Sequence, residues 1–421
     1  MFRYDKVKVV KGGKTMKALV LCGGIPQVEL IKQLKERGIY TILADMNENV
    51  VARKYADKFY PVSVLDIKAV KELALSENVD MIITVCADQV LLVCAQISEM
   101  LGLPSYISYE TAKKVSDKEF MKKIFSENDI PSSKYVVMQN LDMNRISTMK
   151  YPLIVKPVDS YSSKGVKKVF HVSEVQEAFN AALDISRSKK VIIEEYVQGT
   201  ELSIDAYIED GVAHILCISQ LDKIPANNKF VINRLTYPAD ISEKIEKEIR
   251  NIVKKIADAF GLVNTPMLVQ LIYNEDNISV LEFCARTGGG DKFRLIKNVA
   301  DFDVVKAMID LTLGEKPHVT KKESSPTYII DEFLYCKKGT FDHLEGFQEL
   351  KNQGILSEFY QLKQKGTKLD EIKSSGDRVA YFTIQAETRE ELRRLYDKTI
   401  NHIKIVDNNE EDIIRHDLFI S

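Results

Sequence analysis

Residues 268–290 read Leu-Val-Gln-Leu-Ile-Tyr-Asn-Glu-Asp-Asn-Ile-Ser-Val-Leu-Glu-Phe-Cys-Ala-Arg-Thr-Gly-Gly-Gly. Two β-favouring runs, 267–273 and 278–283, flank a polar turn at 274–277, which is the pattern of a hairpin. Side chains alternate along a strand, so such a hairpin can bring Gln270 and Glu282 together on one face. Arg286 follows, and Gly288, Gly289 and Gly290 come just after it. Two oxygen donors, a cation and a glycine loop at one strand end suggest a site for Mg2+ and a polyphosphate. An ordinary hairpin with a solvated Glu and Arg accounts for the same letters, so the upstream chain decides between them.

The chain has 421 residues, long enough for two or three domains. Hydrophobic residues make up 45% and charged residues 29%, the balance of a soluble globular protein. Basic and acidic residues number 59 and 61, which argues against nucleic acid or an anionic membrane as the main partner. No apolar run approaches the roughly 20 residues that span a bilayer; runs 81–87 and 90–97 are interrupted by Asp88 and Gln89. The six cysteines are scattered and never form Cys-x-x-Cys. They read as buried free thiols of a reducing, cytoplasmic compartment. Residues 1–15 are basic without an apolar core, so they are expected to be an extension and not a signal peptide.

In order, 17–22 reads as a buried strand, Gly23-Gly24 as a turn, 26–37 as a helix and 40–44 as a strand. Helix 67–76 and strand 81–85 follow. This alternation indicates a parallel α/β sheet. The Gly-Gly turn lacks G-x-G-x-x-G, so a tight turn explains it better than a dinucleotide site. Asp88 and Gln89 lie just past the third strand, where α/β ligands often bind; a helix N-terminus explains Asp88 equally well.

A helix is expected over 115–128, starting near Ser116-Asp117. Lys118 in its first turn opposes the helix dipole unless an anion is near. Residues 151–156, Tyr-Pro-Leu-Ile-Val-Lys, read as a strand ending in Lys156. The small, polar loop to Lys164-Gly165 and strand 166–169 can fold over a phosphate, with Lys156 as counter-charge. An ordinary hairpin remains the alternative. Strand 191–193 leads into Glu194-Glu195-Tyr196-Val197, a linker able to offer acceptors to an adenine, with Glu201 available to ribose hydroxyls. Residues 223–235 are expected to be a mobile loop. Residues 242–260 are strongly amphipathic, with Ile245, Ile249, Ile252, Val253 and Ile256 at helical spacing. Helix 302–313 precedes Gly314 and Pro317, a plausible domain edge. From Thr327 the chain turns β-rich (327–334, 355–361, 378–385) and closes with helix 388–402.

The order of these units resembles the ATP-grasp superfamily, most nearly its carbamoyl-phosphate-synthase-like carboxylate–amine ligases of the L-amino-acid ligase type. The likeness runs from Met16 to the end of the chain. It implies α/β and α+β architecture: an N-terminal extension at 1–15, a Rossmann-like pre-ATP-grasp domain at 16–110, and a central ATP-grasp region with a phosphate loop at 111–200. The ATP-grasp core with the metal site would be 201–320, and a β-rich C-terminal subdomain 321–421. The resemblance implies ATP and Mg2+, with Mn2+ possible, as cofactors. Lys118 and Lys156 would meet ATP phosphates, with Ile154 on the same strand as Lys156. Ser160 to Gly165 would form the lid, including Ser162 and Ser163. Glu194, Glu195 and Val197 look like the adenine hinge, Glu201 the ribose contact, and Leu281 part of the nucleotide wall. Gln270 and Glu282 match metal ligands, and Arg286, with Lys156, the catalytic cations. Gly288, Gly289, Lys292 and Arg294 would orient the carboxylate substrate, although pairing of Lys292 or Arg294 with Asp291 or Asp301 accounts for those two equally well. The family usually writes Glu-x-Asn-x-Arg; this chain has Cys284 at the middle position, a poor ligand for a hard cation.

The implied activity is ATP-dependent amide or peptide bond formation through an acyl phosphate, with release of ADP and phosphate. Its partners would be small-molecule carboxylates and amines, with no nucleic acid and no membrane, and a homodimer would fit the family. Bicarbonate-dependent carboxyphosphate chemistry is a second reading, and a degenerate ATP-binding regulatory protein a third.

Overall fold

The computed structural model of the protein describes residues 10–11, 14–160, 164–224, 230–274, 277–320 and 327–419. Near the N-terminus a parallel sheet runs in the order Lys58–Tyr60, Tyr40–Ala44, Lys17–Leu21, Met81–Ile83. Parallel neighbours require crossovers, supplied here by helices Ile25–Glu36 and Ile67–Glu77. Ala18, Leu19, Val20 and Leu21 have no exposed surface, as expected for a strand covered on both faces. A Cβ on Gly23 would lie 2.3 Å from Val50 Cγ2, so close packing at the strand-to-helix turn requires that glycine. Beyond the third sequential crossover, helix Asp88–Leu101 starts with Asp88 itself.

The helix expected to start near Ser116-Asp117 is Lys118–Glu127, and a separate helix, Tyr109–Ser116, precedes it. They break at Asp117, whose backbone is extended (φ −100°, ψ 107°). Its carboxylate accepts from the N–H groups of Glu119 and Phe120 at 2.9 and 3.1 Å. A side chain that caps a new helix competes with continuation of the old one. Asp117→Ala is expected to cost about 0.5–2 kcal/mol, the usual worth of such a cap, read as a lowered urea midpoint.

Residues 135–195 hold a four-stranded antiparallel sheet in the order Tyr135–Met138, Val191–Glu195, Leu153–Pro157, Lys167–Val169. An eight-stranded antiparallel sheet follows: Asn277–Cys284, Thr265–Asn274, Thr200–Glu209, Val212–Lys223, Ile232–Tyr237, Tyr328–Leu334, Ala380–Ala386, Glu358–Gln361. Helix Glu243–Ala259 is capped by Ser242, which accepts from Ile245 N–H. The apolar stripe read from the sequence is buried, and it packs on Leu202, Ile204, Val269 and Phe283 of one sheet face. Phe260 and Phe283 meet edge-on at 4.5 Å there. Because strand side chains alternate, the opposite face carries Glu201, Ser203, Gln270 and Glu282.

Of the loop expected over 223–235, Lys223 and residues 232–235 are strand: Val212–Lys223 and Ile232–Tyr237 pair antiparallel. Residues 225–229 lie outside the described residues. The polar letters hid the second strand because its buried polar groups find partners deep in the fold. Asn233 donates to Leu418 O at 2.9 Å and Arg234 to Glu332 at 2.6 Å. The C-terminal strands join the same large sheet, and helix Arg389–Ile400 packs against it through Leu392 and Tyr396. All six cysteines are free. Among the described residues no helix is long and apolar enough to cross a membrane.

Candidate active site

The hairpin at the edge of the large sheet has Gln270 and Glu282 as direct cross-strand partners. The register then shifts, Leu271 facing Val280, so Leu281 is the extra residue of a bulge. Ser203 flanks Gln270 on its other side. Gln270 Nε2 lies 3.4 Å from Glu201 Oε1, and Glu201 also pairs with Lys223. A small cleft beside the hairpin is lined by Asp88, Gln89, Lys118, Ser160, Glu282 and Cys284 among others.

Lys118 Nζ reaches into that cleft, 3.1 Å from Glu282 Oε2 and 2.9 Å from Ser160 O. Burial works against both charges, but each holds the other charged. Lys118 is pushed up by Glu282, and Glu282 is held below the usual carboxylate range by Lys118 and Lys156. Ser162 and Ser163 lie outside the described residues. Gly165 has φ +77°, and a Cβ there would sit 2.8 Å from Ile185 Cδ1, so both conformation and space favour glycine.

Lys156 shares one face of its strand with Ile154 and pairs with Glu194. Glu194 is 3% exposed and also meets Lys122 at 2.7 Å, itself 2% exposed. Burial alone would raise the Glu194 carboxyl; Lys122 and Lys156 pull it far below the usual range. The Glu194 carboxylate is thus committed to two lysines. Glu195 accepts from Lys150 N–H at 3.0 Å, and Val197 follows half-buried in the linker. Lys122 was missed in the sequence reading, although its place one helical turn after Lys118 puts both on one face.

Arg286 is 7% exposed and bound to the first sheet. Its Nε and Nη2 both lie 2.5 Å from Asp88 Oδ1, and its Nη1 donates to Thr287 O at 2.6 Å. Burial disfavours the charges of both, yet the pair keeps Asp88 low and Arg286 high. Gln89 accepts from Arg187. Gly288 N–H donates to Asp205 Oδ1 at 3.0 Å, and Gly289 is exposed. Lys292, 4% exposed, pairs with Asp205 at 2.8 Å and donates to Ser219 at 2.5 Å. Arg294 pairs with Asp291 at 2.6 Å, the alternative weighed from the sequence, and stacks on Tyr360.

Among the described residues no three His, Cys, Asp or Glu side chains gather as a metal cluster. Mg2+ does not need one, since it takes one or two carboxylates and leaves its other positions to water and phosphate. The Gln270 amide and the Glu282 carboxylate are hard oxygen donors side by side, so the residues fit that ion. Burial raises the Cys284 thiol well above its ordinary value, and Asp88 raises it further, so it stays neutral and adds no hard donor.

Residues 149–293 match the ATP-grasp domain, and residues 332–407 match the L-amino acid ligase C-terminal domain 2. The chain thus carries an ATP-grasp domain and an L-amino acid ligase C-terminal domain. Formate-dependent phosphoribosylglycinamide formyltransferase of Prochlorococcus marinus (strain NATL1A) is 24% identical over 399 residues, 93% of this chain and 98% of that protein. The carbamoyl phosphate synthase large chain of Clostridium acetobutylicum is 22% identical over 292 residues, 67% of this chain and 27% of that protein. The crystal structure of L-amino acid ligase from Bacillus licheniformis matches with a TM-score of 0.79 at 18% identity, over 94% of this chain and 99% of that one. That last likeness is one of fold. This ATP-grasp protein is therefore an ATP-dependent, C–N bond-forming ligase.

Proposed function

We propose that this ligase activates a small-molecule carboxylate with ATP and joins it to an amine at the cleft between Lys118, Glu282 and Arg286. The observation that carries the assignment is the direct cross-strand pairing of Gln270 with Glu282, with Lys118 bridging Glu282 to Ser160 O. Gln270 and Glu282 would hold Mg2+, which when bound neutralises phosphate charge. Lys118 and Lys156 stabilise the polyphosphate. Arg286 has five donors; Asp88 and Thr287 take three of them and fix the plane of the group, and the others face the transferring phosphoryl. Such catalysis is positioning and charge stabilisation more than covalent chemistry. A carboxylate oxygen of the first substrate attacks the γ-phosphorus and ADP leaves. The amine nitrogen then attacks the acyl carbon, phosphate leaves, and the amine gives up a proton. Gly288 and Gly289 keep the floor beside Arg286 open to the acid; a Cβ on Gly288 would lie 2.8 Å from Lys292 Cγ.

The test is ADP release by the purified protein with ATP and Mg2+ against pools of amino acids, short peptides, amino sugars and bicarbonate. Release is expected only when a carboxylate pool and an amine pool are both present, and to vanish with EDTA and return with excess Mg2+. Release with bicarbonate alone would replace this reading with carboxyphosphate chemistry. ATP binding without release from any pool, unchanged in Cys284→Asn, would count against turnover.

A further inference from the structure

A second cavity, of about 280 Å3, lies at the other end of the large sheet, just under the roughly 300–1,000 Å3 of ordinary ligand pockets. The strand registers place it on the catalytic face. Glu282, Gln270, Ser203 and Ser219 stand in one row across four strands. Glu201, Leu221, Leu235, Asp331, Thr383 and Glu358 form a row across six. Glu201 and Ser203 are two apart on one strand, so both rows face the same way. Asp331 and Thr383 line the cavity, together with Asp291 and Arg294 at the start of helix Lys292–Ala300.

Asp331 is only 3% exposed. Its Oδ1 accepts from Thr383 Oγ1 at 2.6 Å; among the described residues no hydrogen bond reaches its Oδ2 and no cation pairs with it. The cations at the cavity are already engaged, Arg294 with Asp291 and Lys297 with Asp303. Lys292, Arg294 and Arg378 act on Asp331 without pairing with it, and burial outweighs all three, so the wall keeps a costly buried carboxylate. Apolar walls come from Phe293, Leu295 and Ile329. Burial pushes Asp331 up to about 6 and Asp291 up to about 7, so one carboxyl is charged at neutral pH and the other can take a proton.

We propose that this cavity is a second ligand site, apart from the reaction centre, seating a small ammonium-bearing molecule of amino-acid size with its nitrogen at Asp331 and Asp291. The inference stands on the cavity and does not need the ligase reading.

The experiment is calorimetry on the full chain with L-alanine, L-lysine and 1,4-diaminobutane as probes and acetate as the anionic control. At least one ammonium probe is expected to bind one-to-one, and acetate not to bind. Asp331→Asn should weaken that binding tenfold or more, whereas Glu282→Gln should leave it unchanged. Asp331→Asn should fold, melting no lower than wild type at pH 8, because it removes a carboxylate whose raised pKa costs stability as pH rises through about 6. Ser357→Phe, at the cavity rim, should block the same binding. MgATP affinity should hold in Asp331→Asn. Probe affinity within twofold of wild type in both cavity variants, or no ammonium binding beside intact MgATP binding, would overturn the proposal. Asp331-dependent amine binding without MgATP binding would leave the cavity standing and remove the ligase reading instead.

Discussion

Glu282→Gln is expected to lower ATP-dependent ADP release at least about a hundredfold, the scale of removing one preorganised group from a phosphoryl- or acyl-transfer site. The substitution keeps the size and the hairpin, and Gln270 still faces the position across the strand pair. What it removes is one negative charge beside two cations. Lys118, 3.1 Å away, loses the carboxylate that holds it charged against burial. A metal ion held by this pair would lose its one carboxylate and retain two neutral amides, weak donors for a hard cation. Stability should move little, since an amide oxygen can still accept from Lys118. The checks are ADP release, Mn2+ affinity and the melting temperature, all on the same preparation. Turnover within threefold of wild type, with the protein folded, would sink the assignment of this hairpin as the metal site.

How much of this was legible in the letters depended on distance along the chain. The Gln270–Glu282 pair could be read because one short turn joins its strands and alternation fixes the face. The stripe of helix Glu243–Ala259 could be read because its period is local. Asp88 and Arg286 are 198 positions apart, one opening a helix and the other following a strand of a different sheet, and no local pattern links an acid after one strand to an arginine after another. Lys122 shows a different failure: its spacing from Lys118 was plain, but a lysine on an amphipathic helix ordinarily reads as solvated. Only the fold shows that it runs inward to a carboxylate on another strand. Asp331 was equally hidden, because an acid in an apolar strand signals burial without saying what it faces. The strand Ile232–Tyr237 was lost for the converse reason, since its polar residues are satisfied by groups remote in sequence.

Glu194→Ala is expected to destabilise the protein by about 3–5 kcal/mol, the cost of breaking a buried ion pair by removing one partner. Glu194 stands between Lys122 and Lys156, and it also meets Ser133 Oγ at 3.3 Å. Without it, Lys122 keeps only oxygen contacts at 3.4 Å, to Ser133 and Val280 O, and two ammonium groups are left facing each other in a dry site. Burial already lowers Lys122 even with the carboxylate present, so the variant should expel its proton or open the site to water. Because Glu194 is held far below the unfolded carboxylate range, its stabilisation is present above about pH 4.3, the unfolded value for Glu. It is lost as pH falls from there toward the folded value. The wild type should therefore lose stability on acidification below about pH 4.3 more steeply than Glu194→Ala does, and the gap between their urea midpoints should narrow. Glu194→Ala combined with Lys122→Met should recover part of the loss, because the double variant no longer buries Lys122 without its partner. The same loss should reach function, since Lys156 is oriented by Glu194 and would swing free of the phosphate position, raising the KM for ATP in a variant still folded at low temperature. A single variant within about 1 kcal/mol of wild type at pH 7 would mean that water already reaches this triad, for exposed pairs are worth no more than that.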